Sequence, residues 1–223
     1  NYLEAILRVY NLHGRRDNKY KARIKILVKA MGVEAFRDAV DREWASIRGG
    51  SNTLTDEALA AVAAHFTAPD YDDLDAQAEA AFLGDAFERD PLFAGWVKRN
   101  TQAHRQPGYR AVTITLKATG MPPGDVSAAQ MDALADLADE FSFGELRTTH
   151  QQNFVLADVR ESALLDLWRR LQPLGLAASN AGHITDLICC PGGDYCSLAN
   201  AKSIPVAQAL QERFEALDYQ YDL

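Results

Sequence analysis

The chain has 223 residues, 48% of them hydrophobic and 24% charged, which is the composition of an ordinary globular protein with a sizeable core. Its 23 Lys and Arg against 31 Asp and Glu give a net charge of −8, which argues against nucleic-acid binding because phosphate neutralisation requires clustered cations. No apolar run approaches the roughly 18 residues of a membrane span and no secretory signal opens the chain, so we expect a cytoplasmic protein without membrane partners.

Residues 1–50 have the apolar spacing of helices. Three sets of apolar side chains recur three or four residues apart: Leu3, Ile6, Leu7 and Tyr10; Ile24, Leu27, Val28 and Met31; and Phe36, Val40, Trp44 and Ile47. Gly32 is expected to end the second helix. Because the chain starts at Asn1 and enters a helical pattern at once, we expect it to be a piece of a longer polypeptide.

Residues 51–106 have weaker patterns. A short amphipathic helix is predicted over 56–66, with Thr55 as its N-cap. The acidic, Ala-rich stretch 69–90 has little periodicity and is interpreted as a linker that drapes over a neighbouring element. Phe93 and Trp96 follow as candidate aromatic anchors.

Residues 107–180 predict an α+β unit. Val112, Ile114 and Leu116 alternate with threonines, as in a half-buried strand. A helix capped by Ser127, strands near 145–149 and 153–159, and a second helix ending at Gly175 complete a β-α-β-β-α order. That order matches the ferredoxin-like split motif, an antiparallel sheet packed against helices, with a last strand expected at 176–179. The expected core residues are Val112, Ile114, Leu116, Leu134, Ala138, Leu165 and Trp168, with Met131, Ala135 and Phe141 on the same face of the first helix.

All three cysteines lie within eight residues, at Cys189, Cys190 and Cys196. Three cysteines do not make a disulfide scaffold, whereas thiolates in a C-x5-C pair can bind soft metals or an iron–sulfur cluster. Spacing alone leaves open that these are buried structural cysteines, and Cys189 is the best candidate for a core residue. A helix is predicted directly after Cys196, and Pro205 is expected to open another with Ala207, Leu210, Phe214 and Leu217 on one face.

A second candidate site lies between the two later strands, where Arg147, Thr149, Gln152 and Asn153 are concentrated. A guanidinium binds carboxylates in a bidentate manner, so this corner suits a ligand with several carboxylates. A hydrogen-bonded connection between strands is the alternative. His150 is given no role. The basic turn over residues 13–23 is interpreted as a solvated helix junction, with binding of an anion or of a partner's carboxylates as the alternative.

Three segments in order, 18–28, 146–156 and 186–206, resemble the siroheme-dependent nitrite/sulfite reductase family, in its bacterial assimilatory hemoprotein branch. Residues 146–156, LRTTHQQNFVL, are similar to the family's R-x-T-x-x-Q-N block beside the siroheme. Residues 190–201, CPGGDYCSLANA, are similar to the first half of its cluster motif.

The resemblance implies four pieces: the helical end of a first cofactor lobe (1–50), a helical and irregular linker (51–106), a ferredoxin-like half-domain (107–180) and the start of a second siroheme/[4Fe–4S] lobe (181–223). Cys190 and Cys196 would ligate the cluster. A group of four residues would approach the siroheme or the cluster: Arg147, Thr149, Gln152 and Asn153. The implied reaction is six-electron reduction of sulfite to sulfide, with nitrite to ammonia as the alternative and a flavoprotein or ferredoxin as electron donor.

Two features of the family are missing from the sequence. No C-x3-C pair follows Cys196, and the substrate-facing Arg and Lys residues belong to parts of the family that precede Asn1. The chain alone is therefore expected to be inactive and to bind neither cofactor. A non-catalytic ferredoxin-like binding module, with cysteines that bind zinc or nothing, is the other reading of the same residues.

Overall fold

The computed structural model describes residues 1–220, except for the side chains of residue 216 and residues 218–220. The chain divides into two compact units, Asn1–Ala68 and Pro69–Leu223. The helices of the first unit are α1 (Tyr2–His13), α2 (Ile24–Met31), α3 (Val33–Ile47) and α4 (Asp56–Ala63). Those of the second are α5 (Ala76–Arg89), α6 (Pro91–Asn100), α7 (Ala128–Phe141), α8 (Leu164–Leu171) and α9 (Ile204–Gln220). The strands, all in the second unit, are β1 (Thr101–Ala103), β2 (Tyr109–Thr115), β3 (Leu146–Thr148) and β4 (Asn153–Arg160).

The first unit is built on α1 and α3. Its buried residues are Ala5, Val9 and Val40, and Phe36 and Trp44 pack against them partly buried. The predicted inner face of α1 is wrong in part, because Leu3 and Leu7 are exposed. The small Ala5 and Val9 lie inside instead, where the large rings of α3 fill the space between the helices.

Helix α4 begins as predicted, at a Thr55 cap whose hydroxyl accepts a hydrogen bond from the Ala58 N–H at 3.2 Å. It ends at Ala63, three residues before the predicted end. No residue of α4 is buried, so its apolar side chains face outward within this unit.

The second unit has a four-stranded antiparallel sheet in the order β1-β2-β4-β3. Strand β4 lies between β2 and β3, which is the split arrangement expected of a ferredoxin-like unit. The strand predicted at 176–179 is absent, and the edge is β1, which pairs Thr101 with Val112. A side chain explains the difference: the Asn100 amide donates to Thr113 O at 3.0 Å and to Ala178 O at 2.9 Å, and so joins the 176–179 segment to the sheet without a backbone ladder.

Helix α5 occupies most of the stretch 69–90 interpreted as a draped linker, and α6 follows it directly. Asp75 and Asp90 cap them, each carboxylate accepting hydrogen bonds from two backbone N–H groups, and Pro91 opens α6. Strong capping therefore starts helices that weak apolar periodicity does not indicate. The aromatic anchors are confirmed, since Phe93 and Trp96 are fully buried.

The core lies between the sheet and helices α5 to α8. Of the predicted core residues, all but one are buried: Val112, Ile114, Leu116, Leu134, Ala138 and Trp168. Leu165 is only partly buried, because α8 turns Leu164, Leu167 and Leu171 inward beside Trp168. On α7 the prediction fails for Met131 and Ala135, which are exposed, and Leu137 is buried instead.

No helix follows Cys196 directly. A short 3-10 turn at Gly192–Asp194 and further turns precede α9, which begins at Ile204. Ala207 is buried as predicted, but Leu210 is 43% exposed, and the fully buried Gln211 takes the inward position. Its amide nitrogen donates to Lys117 O at 3.3 Å, so a polar contact sets this face of α9. Among the described residues, no helix is long and apolar enough to cross a membrane.

Candidate functional site

The two candidate sites of the sequence lie against each other in the second unit. The β3–β4 connection is a tight turn: Thr149 N–H donates to Asn153 O at 2.9 Å, and Asn153 N–H donates to the Thr149 hydroxyl at 3.1 Å. Gln152 adopts a left-handed backbone with φ of 60°. This conformation is uncommon for a residue with a Cβ, so the surrounding contacts must hold it.

The side chain of Gln152 joins this turn to the segment that carries the cysteines, here called the cysteine loop (residues 181–203). Its Oε1 accepts from Cys189 N–H at 3.0 Å, and its Nε2 donates to Cys189 O at 2.8 Å. Gly124 lies behind it with φ of 85°, and a Cβ there would approach the Gln152 Cβ to 3.0 Å. The amide of Gln152 thus pairs with both backbone groups of the residue that precedes Cys190.

Asn153 holds the turn from the inside. Its side-chain oxygen accepts from Leu116 N–H at 3.1 Å and from the Lys117 ammonium at 2.7 Å. Its amide nitrogen donates to Asp186 at 2.9 Å. Asn153 is 3% exposed, so all of these bonds are shielded from water.

The three cysteines differ in exposure. Cys189 is buried, whereas Cys190 and Cys196 are exposed free thiols. Burial, with a smaller contribution from Cys190, raises the pKa of the Cys189 thiol, which disfavours the thiolate that a metal needs. The structure therefore confirms Cys189 as the core cysteine and shows that the other two are accessible.

The backbone around Cys190 and Cys196 is tightly folded. Gly192 has φ of 61°, and a Cβ there would meet Ala201 O at 2.7 Å. Cys196 N–H donates to Gly192 O at 2.9 Å, and Gly193 N–H donates to Ala201 O at 2.8 Å. Glycine is required at 192 because no larger residue fits that conformation and that space.

The donor set fits half of an iron–sulfur cluster. Two accessible thiols from one rigid loop are suitable ligands, but a [4Fe–4S] cluster is normally held by four cysteines. Within the described part of the chain, no group of three or more His, Cys, Asp or Glu residues could hold a metal ion. A [4Fe–4S] cluster bound at these two thiols would need its other ligands from outside the described residues.

Open space flanks the cysteine loop on two sides. One groove of about 300 Å³ is lined by Pro122, Gly124, Gln152, Cys189 and Tyr195, among others. A second, of about 390 Å³, is lined by Cys190, Lys202 and residues of α9. A bulky group bound at the thiols would find room there.

Arg147 lies apart from the cluster around Asn153. Its side chain is 55% exposed, and its Nε donates to Glu145 at 2.6 Å. This hydrogen bond lowers the pKa of Glu145 and raises the pKa of Arg147. Of the four residues predicted in this corner, the structure brings Gln152 and Asn153 to the cysteine loop, uses Thr149 to close the turn, and leaves Arg147 at the surface.

Sequence reasoning missed the charged pair beneath the site. Lys117 is buried and Asp186 is partly buried; their side chains are 0% and 7% exposed, and 3.2 Å separates Nζ from Oδ1. The available signal was a lysine immediately after the inward-facing Leu116, but a strand end is an ordinary place for an exposed lysine. Only the tertiary structure shows that this one points inward.

Two protein-family models match this chain. The nitrite/sulfite reductase ferredoxin-like half domain matches residues 102–174, and the nitrite and sulphite reductase 4Fe-4S domain matches residues 1–47. Chloroplastic ferredoxin–nitrite reductase of Zea mays is 29% identical over 219 residues, covering 94% of this chain and 32% of the relative. Sulfite reductase [ferredoxin] of Mycobacterium tuberculosis is 29% identical over 226 residues, covering 98% and 33% respectively.

The solved structure of Mycobacterium tuberculosis NirA protein has the same fold, with a TM-score of 0.60 at 24% identity. The alignment covers 100% of this chain and 34% of that one. The chain thus spans about a third of the length of the proteins it matches.

The sheet order and its helices define an α+β module of the ferredoxin-like half-domain type, with the cysteine loop attached to it. Both matching family models describe one family and together cover more than half of the chain. The chain belongs to the siroheme nitrite/sulfite reductase family.

Proposed function

We propose that this chain supplies part of the siroheme and [4Fe–4S] site of an assimilatory sulfite reductase, which reduces sulfite to sulfide. The observation that carries the proposal is the pair of exposed thiols, Cys190 and Cys196, in a rigid loop bonded to the half-domain through Gln152. Reduction of nitrite to ammonia is the second candidate, because relatives of similar identity are named nitrite reductases.

In this proposal each predicted site residue has a structural task. Cys190 and Cys196 would ligate the cluster, and Gln152 fixes the backbone next to Cys190. Thr149 and Asn153 shape the turn that faces the cofactors. Arg147 is half exposed and has five N–H donors, so it can bind a siroheme carboxylate while keeping its bond to Glu145.

When bound, siroheme and the cluster supply the electron-transfer chemistry, and the protein contributes binding, orientation and charge. We extend the proposal to four pieces of the chain: 1–50 and 181–223 in two cofactor lobes, 51–106 between them and the half-domain, and 107–180 as the half-domain. The names of the relatives favour a ferredoxin over a flavoprotein as electron donor, and a small anion as substrate. A reducing compartment such as the cytoplasm suits thiols that must stay free to bind iron.

Substitution of single cysteines in the reductase of natural length tests the proposal. Serine replaces a soft thiolate ligand poorly, so Cys190→Ser and Cys196→Ser should each lose most of the bound iron and of the sulfite-dependent oxidation of a reduced dye. Cys189→Ala is the matched control, because the Cys189 thiol is buried and donates to the Cys190 carbonyl oxygen at 3.2 Å, and so is turned away from solvent. It should keep both properties, at a modest cost in thermal stability.

Two outcomes separate the alternatives. Full iron content in both serine variants would reject ligation by this loop and favour the non-catalytic module. Normal iron content in the wild type with reduction of nitrite but not sulfite would keep the family assignment and replace the substrate.

A further inference from the structure

A fully buried lysine lies beneath the turn and the cysteine loop. The side chain of Lys117 is 0% exposed. Its ammonium has four oxygen neighbours: Gln151 O at 2.6 Å, Asn153 Oδ1 at 2.7 Å, Gln152 O at 3.2 Å and Asp186 Oδ1 at 3.2 Å. An ammonium has three protons, so these oxygens satisfy it completely without water.

The two carbonyls converge on Lys117 because the turn is left-handed at Gln152. That backbone conformation is strained for glutamine and persists only where the surroundings impose it. The Lys117 ammonium helps to impose this conformation, since it attracts the consecutive carbonyl oxygens of Gln151 and Gln152, which would otherwise repel each other. Lys117 therefore sets the conformation from which the Gln152 side chain reaches Cys189.

Asp186 is the second link from Lys117 to the cysteine loop. Its Oδ1 faces the ammonium and the Asn153 amide, and its Oδ2 accepts from Gly182 N–H at 2.9 Å. Desolvation lowers the pKa of Lys117, and the carboxylate of Asp186 counteracts it. A buried charge of this kind is costly unless its partner stays in place, so the pair holds the loop at a defined position.

We propose that Lys117 is a positioning residue for the proposed cluster site. It acts through Gln152 and Asp186 to fix where the cysteine loop presents Cys190, and it touches neither cofactor nor substrate. The inference rests on the proposed function only in taking Cys190 as a ligand; the contacts of Lys117 with the turn and the loop do not depend on it.

The competing explanation is that Lys117 merely stabilises the sheet. Asn100 provides a matched control, because it is 1% exposed and its amide bonds the same sheet at Thr113 O and Ala178 O. None of these contacts involves the cysteine loop. Asn100→Leu should therefore lower stability without releasing that loop.

The test uses the iron-free reductase of natural length. Mass spectrometry measures the rate at which iodoacetamide modifies Cys189. The denaturant concentration is chosen separately for each variant, so that all variants have the same free energy of unfolding. Lys117→Met should raise the rate at Cys189 about tenfold or more, since the loop opens locally, whereas Asn100→Leu should change it less than about twofold. On loading, Lys117→Met should also retain less iron than Asn100→Leu.

A second variant keeps the test decisive if Lys117→Met does not fold. Lys117→Met/Asp186→Leu removes both charges, which should restore stability but leave Cys189 reactive, because the loop still lacks its link. The inference would be overturned if Cys189 were as well protected in Lys117→Met, or in the double variant, as it is in Asn100→Leu. Because the readout uses iron-free protein, it is independent of whether Cys190→Ser loses iron, which bears on the proposed function alone.

Discussion

Tyr71 holds its phenol proton more tightly than an ordinary tyrosine. Burial and a 2.7 Å hydrogen bond to the carboxylate of Asp158 raise the pKa of Tyr71 to about 12. The folded pKa lies above the unfolded value of 10.0, so the stabilisation is complete below pH 10 and is lost as the pH rises towards 12.

Absorbance titration of tyrosinate tests this expectation. Tyr71→Phe should remove a tyrosine that ionises at about pH 12, and should weaken the fall in stability between pH 10 and pH 12. Tyr20→Phe, at a side chain that is 71% exposed, should leave both unchanged. Identical curves for the two variants would show that the Asp158 contact does not hold the proton.

Individual site residues differed in how far sequence alone could predict them. The sequence indicated Cys189 as the best candidate for a core residue, but spacing alone left open whether Cys190 and Cys196 are buried; only the structure shows that they are exposed. The roles of Lys117 and Asp186 were invisible, since they depend on contacts between segments about 30 to 70 residues apart. Burial of a charge is set by such long-range contacts and leaves no local pattern.

Helix α6 should contribute strongly to stability, because it buries two aromatic side chains. Phe93 and Trp96 are both fully buried among the core residues, and their rings lie 6.3 Å apart. Trp96→Ala should lower the free energy of unfolding by about 3–5 kcal/mol, the usual cost of an aromatic deletion. Leu92→Ala on the same helix, at a side chain that is 73% exposed, should cost no more than about 0.5 kcal/mol.

Chemical denaturation measures both variants, with the slope against denaturant showing whether unfolding stays two-state. A similar loss for Leu92→Ala and Trp96→Ala would contradict the packing of α6 against the core.

Elements with strong local signals were predicted, and those fixed by neighbours were not. The alternation in β2 and the Ser127 cap of α7 identified both elements. Strand β1 has only three residues, too few for a period, and its place at the edge depends on pairing with β2. The inward Gln211 of α9 breaks the apolar pattern because its amide bonds Lys117 and Thr185 carbonyls.

Two family domains match different units of the chain, residues 1–47 in one and 102–174 in the other. The order of motifs along the sequence was sufficient to indicate this family, because each block is local. The complete cofactor site was beyond prediction from these residues, since four cluster ligands are required and the chain has three cysteines, of which one is buried.

If Cys190 and Cys196 bind iron, as we propose, bound iron should protect their thiols from chemical modification. Both thiols are exposed in the structure, so iodoacetamide should modify them quickly in iron-free reductase of natural length. After anaerobic loading with iron and sulfide, both should become protected, and a chelator should restore their reactivity. Equal modification of Cys190 and Cys196 before and after verified iron loading would contradict the claim.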